Sequence, residues 1–179
     1  MQTTPATTTT TTTDAAHTDG RDDFDPLLGR WTIANDRLRS RLTACTEWEQ
    51  FDARGICRPI LGGLGNIDDF IPLGDVPGWI GFEGGSLRIF NPASGQWTIF
   101  WFDTTTCALT PPLVGAFTPT PDGNLGTFFS DELFNGIPIR VRFLWDVRDV
   151  DHLRWEQAFS SDDGRTWETN WIMRFTRAA

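Results

Sequence analysis

Apolar and polar residues alternate with a period of two over most of the chain after residue 45. In residues 96–103 the odd positions read Trp97, Ile99, Trp101 and Asp103. In residues 137–146, Val141, Phe143 and Trp145 alternate with Arg140, Arg142, Leu144 and Asp146. Residues 152–160 set Trp155, Gln157 and Phe159 against Arg154, Glu156 and Ala158. In the last segment Trp167, Thr169, Trp171, Met173 and Phe175 share one parity, opposite Glu168, Asn170, Ile172, Arg174 and Thr176. Successive side chains of a strand point to opposite faces, so each segment reads as a half-buried β-strand. Strands are expected over residues 31–33, 46–58, 60–71, 81–90, 96–103, 113–118, 125–131, 137–146, 152–160 and 165–176. Residues 35–42 read as a short helix or an irregular crossing, from Leu38 and Leu42 four apart.

The breaks between strands carry turn chemistry. Asp122-Gly123, Asn135-Gly136 and Asp163-Gly164 supply residues that tolerate positive φ, as tight hairpins require. Asp25 as N-cap and Pro26 as first helical residue predict a helical turn that Gly29 stops at once. About ten sequential hairpin strands and no long helix predict an all-β chain. The expected architecture is a single up-and-down antiparallel β-barrel, which also leaves no free strand edge.

Residues 1–23 are rich in Thr and Asp, with Thr7 to Thr13 uninterrupted. Such a segment buries too little to offset its ordering entropy, so a disordered tail is expected before a barrel domain over 24–179. The net charge of −9 argues against nucleic acid and anionic membranes as partners. All 15 basic residues are Arg, which reads as codon bias. The start carries neither the basic nor the apolar region of a signal peptide, and no apolar run is long enough to span a membrane; a cytoplasmic location is expected. Cys45, Cys57 and Cys107 fit no zinc spacing and read as plain thiols.

An ordinary core accounts for the fourteen Phe but less well for the nine Trp, which equally suit walls for a flat or apolar ligand. Turning the Trp-bearing faces inward gives an apolar interior with Gln157, Thr169, Asp103 and Gln50, near Trp48, as polar handles. The opposite assignment places Arg142, Glu156 and Asn170 inside as an ionic cluster; the first is followed here. The expected binding residues are Trp48, Gln50, Trp97, Trp101, Arg142, Trp155, Gln157, Thr169, Asn170 and Trp171. Asp103 and Glu156 are the candidate acid/base groups. Three functions compete. The first is binding of a small apolar or aromatic molecule. The second is cofactor-free cyclase, isomerase or lyase chemistry on a natural product. The third is a structural barrel with a partner outside, and a homodimer is one assembly considered. No metal or cofactor is called for: Asp68-Asp69 lacks a partner at ligand spacing, Glu47 and Glu49 read as a solvated edge, and Gly62-Gly63-Leu64-Gly65 as a bend or rim loop.

Ser160-Ser161-Asp162-Asp163-Gly164-Arg165-Thr166-Trp167 matches the Asp-box pattern S-x-D-x-G-x-T-W, read as a structural turn. Leu28-Gly29-Arg30-Trp31 resembles the G-x-W entry of calycins, the lipocalin and fatty-acid-binding barrels. That resemblance implies an Arg of the last strand beside the Trp, either Arg174 or Arg177. The segments FDPLLGRW, TEWEQF, RPILGGLGN, IPIRVRFLW and RWEQAFSSDDGRTWETNWIMRF are similar to the calycin-like DUF1579 proteins, which implies a fold and a pocket but no reaction. The related nitrobindin barrel binds haem through a C-terminal His. Here His152 reads as a turn residue and His17 lies in the tail, so haem is not expected.

Overall fold

The computed structural model describes residues 19–178. Ten strands form one closed antiparallel barrel. They are β1 (Gly29–Leu38), β2 (Trp48–Ile60), β3 (Gly65–Pro72), β4 (Gly84–Asn91), β5 (Gln96–Asp103), β6 (Leu113–Thr120), β7 (Gly123–Phe134), β8 (Ile137–Asp149), β9 (His152–Ser160) and β10 (Glu168–Arg177). Each strand pairs with its sequence neighbours, and β1 closes on β10 with Trp31 opposite Arg177. Among the described residues, helix is confined to two 3-10 turns, Asp25–Leu27 and Leu61–Gly63. The expected all-β up-and-down barrel of about ten strands is what the chain forms. No helix among the described residues is long and apolar enough to cross a membrane.

Residues 35–38, expected to be helical or irregular, instead complete β1. Asn35 pairs with Phe51 and Leu38 with Trp48 across to β2. Leu38 is buried as an end-of-strand residue, so its four-residue spacing to Leu42 was no helical signature. Asn135 (φ 51°) and Gly136 (φ 80°) take the left-handed conformations that their hairpin needs. At Gly115 in β6, any Cβ would lie 2.0 Å from the Thr127 carbonyl oxygen of β7, so the close strand approach requires glycine.

The expected tail falls into two parts. Residues 1–18 lie outside the described residues, and residues 19–23 belong to the barrel's closed end. There Trp97 Nε1 donates to the Gly20 carbonyl at 2.9 Å, and Asn124 Nδ2 to Asp23 at 3.3 Å. Phe24 follows as a plug, fully buried, with ring centroids of Trp97, Phe117, Phe128 and Trp145 within 4.8–5.8 Å. Burying such a side chain is worth about 1.5–3 kcal/mol. The plug therefore shuts this end, and the opposite end is left for a mouth.

The Asp-box turn is built from local bonds. Asp162 accepts from the Ser160 hydroxyl (2.8 Å), the Thr166 amide (2.9 Å) and the Thr166 hydroxyl (2.7 Å). Trp167 Nε1 donates to the Gly164 carbonyl at 3.0 Å. With Gly164 at φ 84°, this turn joins β9 to β10 outside the barrel's interior.

Candidate functional site

A cavity of about 340 Å3 occupies the barrel above the Phe24 plug. The Trp-bearing faces line it: Trp31 from β1, Trp101 from β5, Trp145 from β8, Trp155 from β9 and Trp171 from β10. This follows from register, because in a closed barrel all inward rows must be apolar enough to meet one another. Trp145 opposes Trp155 across β8–β9, and Met173 opposes Trp155 across β9–β10. The rings meet edge to face, as for Trp155 and Trp171 at 5.6 Å and Trp101 and Trp171 at 6.1 Å.

The loop between β3 and β4 folds over the mouth. Its Trp79 stacks on Phe82 (4.0 Å, 12° between planes) and meets Phe51, Phe70 and Trp171. The Arg37 guanidinium carbon sits 3.7 Å from the Trp79 ring centre while the same group pairs with Glu49. Burial lowers the Arg37 pKa against the pull of Glu49, and the pair is mostly desolvated. Glu49, expected on a solvated edge, is therefore the counter-ion of a cation–π contact at the mouth.

Several predicted residues stand where the inward assignment places them. Trp101, Trp155, Gln157 and Trp171 line the cavity, and Gln157 Nε2 donates to Asn170 Oδ1 at 2.8 Å. Asp103 lies at the mouth. Burial works to raise its carboxyl, but hydrogen bonds from the Thr106 amide (2.8 Å), Trp101 Nε1 (2.8 Å) and the Thr105 amide (2.9 Å) outweigh that and hold it below the usual carboxylate range. Trp171 is oriented by its own bond to Asn35 Oδ1 at 3.0 Å.

Other predicted residues are elsewhere. Trp97 is buried beneath the plug, beside Phe24 and Phe90, and does not line the cavity. Trp48, 38% exposed, and Gln50, bonded to Asp36 at 2.8 Å, belong to the outer row of β2. Glu156 is outside too, paired with Arg154 at 2.6 Å. Arg142 covers the Trp167 ring at 4.5 Å, on the outer face. Thr169 leaves the interior because a β-bulge falls between Thr169 and Trp171. Strict alternation put Trp167, Thr169 and Trp171 on one face; the extra residue, Asn170, resets the parity. Asn170 is fully buried in the wall, and Glu168 turns inward to accept the Leu42 amide at 2.9 Å.

Sequence reasoning missed six charged residues that line the cavity: Arg37, Arg41, Asp68, Asp69, Arg88 and Glu132. Arg41, in the loop after β1, has its pKa lowered to about 10 by burial and by neighbouring Arg37. Burial raises the Glu132 carboxyl, against one hydrogen bond from Ser130. Glu132 lies on the inward row of β7, opposite Ile139, and its parity with Phe128 and Ser130 was the signal that could have found it. Arg88 and Asp68 form an ion pair at 2.6 Å with side-chain exposures of 2% and 15%. Asp68 also accepts the Ser86 amide, and Asp69 accepts the Ile56 amide at 2.6 Å. Both carboxylates of the weak metal candidate are thus engaged by donors, and no cluster of three or more metal-ligating side chains occurs among the described residues. His152 is the exposed first residue of β9, 3.0 Å from Asp149 at the end of β8; His17 lies outside the described residues.

At the barrel's seam, Arg177 is the last-strand partner of Trp31. Its guanidinium carbon is 4.3 Å from the ring centre. Arg174 instead pairs with Asp36 on the outer face.

No family model matches the sequence, and no curated protein matches it. Among solved structures the chain is similar to Rv2717c from M. tuberculosis, a barrel of this kind, with a TM-score of 0.57 and 12% identity. The likeness covers 89% of this chain and 98% of that one. At that identity it shows the fold alone.

Proposed function

We propose that this barrel binds a small, mostly apolar or aromatic molecule in the cavity above Phe24. The observation that carries the reading is the wall itself: six tryptophans and several phenylalanines face a space of about 340 Å3 that opens at the mouth, with charged and polar side chains set among them. That volume is at the lower end of the roughly 300–1,000 Å3 typical of small-molecule sites, so the ligand is compact. The calycin-like, DUF1579-type reading is part of this proposal, supported by Trp31 beneath Arg177 at the closed end.

Calorimetric titration with ethylnaphthalene tests it. Binding is expected to weaken about tenfold in Trp101→Ala, which removes part of the wall, and to be unchanged in Trp48→Ala, which alters the outer row. Failure of every aromatic probe of this size to bind, or equal effects of the two substitutions, overturns the proposal.

A second reading, proton transfer on the bound molecule, is favoured by one observation. Two carboxyl groups at the same cavity are pushed in opposite directions, Glu132 up by burial and Asp103 down by its donors. That divergence suits an acid and a base acting together. Glu156, on the outer face, has no part in this reading. If it holds, Glu132→Gln lowers turnover of a co-purified molecule far more than its binding; equal losses rule it out.

A further inference from the structure

The cavity floor contains a polar feature that aromatic walls do not need. Arg88 of β4 and Trp145 of β8 come from opposite walls and meet above Phe24. The Arg88 guanidinium carbon lies 5.2 Å from the Trp145 ring centre and 5.2 Å from that of Phe24. Both side chains line the cavity. Arg88 Nε and Trp145 Nε1 are buried donors, and neither has a hydrogen-bond acceptor among the described residues. Leaving a buried donor unsatisfied costs about 1–3 kcal/mol, so two on side chains that meet at the cavity floor favour a ligand that brings an acceptor there.

The charge of Arg88 is already answered. Its Nη1 donates to Asp68 at 2.6 Å and to Asn66 at 3.0 Å, and Asp68 takes a further bond from the Ser86 amide. A carboxylate or phosphate entering here would meet the Asp68 carboxylate and find no uncompensated cation. A neutral oxygen has lone pairs for both donors and brings no charge.

Resting on the cavity reading above, we infer that the floor recognises a neutral carbonyl oxygen, and that the ligand class is a small aromatic ketone, quinone or similar carbonyl compound held carbonyl-down. Arg88 Nε and Trp145 Nε1 supply the polar recognition, and the Trp155 and Phe175 rings flank the aromatic body. Apolar ligands of equal size are then discriminated against by what they leave unpaired.

Three probes of one shape separate the terms: methyl naphthyl ketone, ethylnaphthalene and naphthoate, each titrated by calorimetry into the full chain. The ketone is expected to bind about tenfold more tightly than either of the others. Trp145→Phe keeps the ring and removes only the donor; Arg88→Lys keeps a cation beside Asp68 and removes Nε. Each is expected to erase most of the ketone's advantage while ethylnaphthalene binds as before, which also shows that the barrel has survived. Equal affinity of ketone and hydrocarbon for the unaltered protein overturns the inference and leaves the cavity reading standing. Tightest binding of naphthoate overturns it in favour of an anion. Failure of all three probes to bind removes the cavity reading, and this inference with it.

Discussion

Arg177 lies over the Trp31 ring at 4.3 Å and donates to the carbonyls of Leu28 and Pro26, both at 2.9 Å. It also pairs with Asp151 at 2.9 Å. One side chain of the last strand therefore ties the first strand, the entry turn and the β8–β9 hairpin together at the plugged end. Trp31 in turn donates its indole N–H to the Leu27 carbonyl.

Arg177→Met keeps the stem and removes the donors and the cation. Urea unfolding is expected to show a loss of about 1–3 kcal/mol, from the Pro26, Leu28 and Val150 carbonyls left without their donor and a cation–π contact removed. Arg174→Met, which touches only an exposed pair with Asp36, is expected to cost less than about 1 kcal/mol. Equal costs would deny the seam its role.

Glu132 makes stability depend on pH in a definite direction. Burial raises its folded-state pKa above the unfolded value. Between those two values the folded chain holds a proton that the unfolded chain has released, so stability falls as pH rises through that window and is level above it. Glu132→Gln is expected to flatten this decline and to unfold later than the unaltered protein at neutral pH. Parallel pH profiles for the two proteins would show that the carboxyl is not held above its usual range.

Asp162 acts with the opposite sign. The Thr166 amide, the Thr166 hydroxyl and the Ser160 hydroxyl draw its pKa down to about 2. Its contribution is complete above the unfolded value, near about 4, and is lost as pH falls through about 2. Asp162→Asn is therefore expected to lower stability at neutral pH and to lessen the acid-induced loss within that window. An unchanged acid limb in thermal unfolding would refute this.

The thiols should separate by position. Burial pushes Cys57 up to about 12, and it lines the cavity, whereas Cys107 is exposed on the β5–β6 loop. Iodoacetamide at mildly alkaline pH is expected to modify Cys107 in the folded protein and Cys57 only after unfolding, because the thiolate is the reacting form. Mass mapping that finds both modified at one rate contradicts this placement.

The barrel was legible in the sequence because its causes are local. Two-residue alternation, turn glycines and the Asp-box each act within a few residues, and they marked most of the strands. The mouth-lining Trp101 and Asp103, and Trp155 with Gln157, followed from parity within uninterrupted strands. Parity failed where one extra residue intervened: the bulge at Asn170 sends Thr169 and Trp167 out while Trp171 stays in. A bulge depends on what the neighbouring strand can accommodate, which alternation along one strand does not record. Trp97, correctly turned inward, fell outside the cavity because Phe24, more than seventy residues away in sequence, fills the space above it.

The sequence by itself therefore determined an all-β barrel and favoured aromatic inward rows, while its resemblance to calycins implied a last-strand Arg beside Trp31. Only the tertiary structure decided that this Arg is Arg177, that Glu156 and Arg142 are outside, and that Arg41, Arg88 and Glu132 line the interior. The physical reason is range. Strand periodicity is set by neighbours in sequence, but a charged side chain is stable inside only beside particular groups on other strands, as Arg88 is beside Asp68. Those pairings exist only once the barrel has closed.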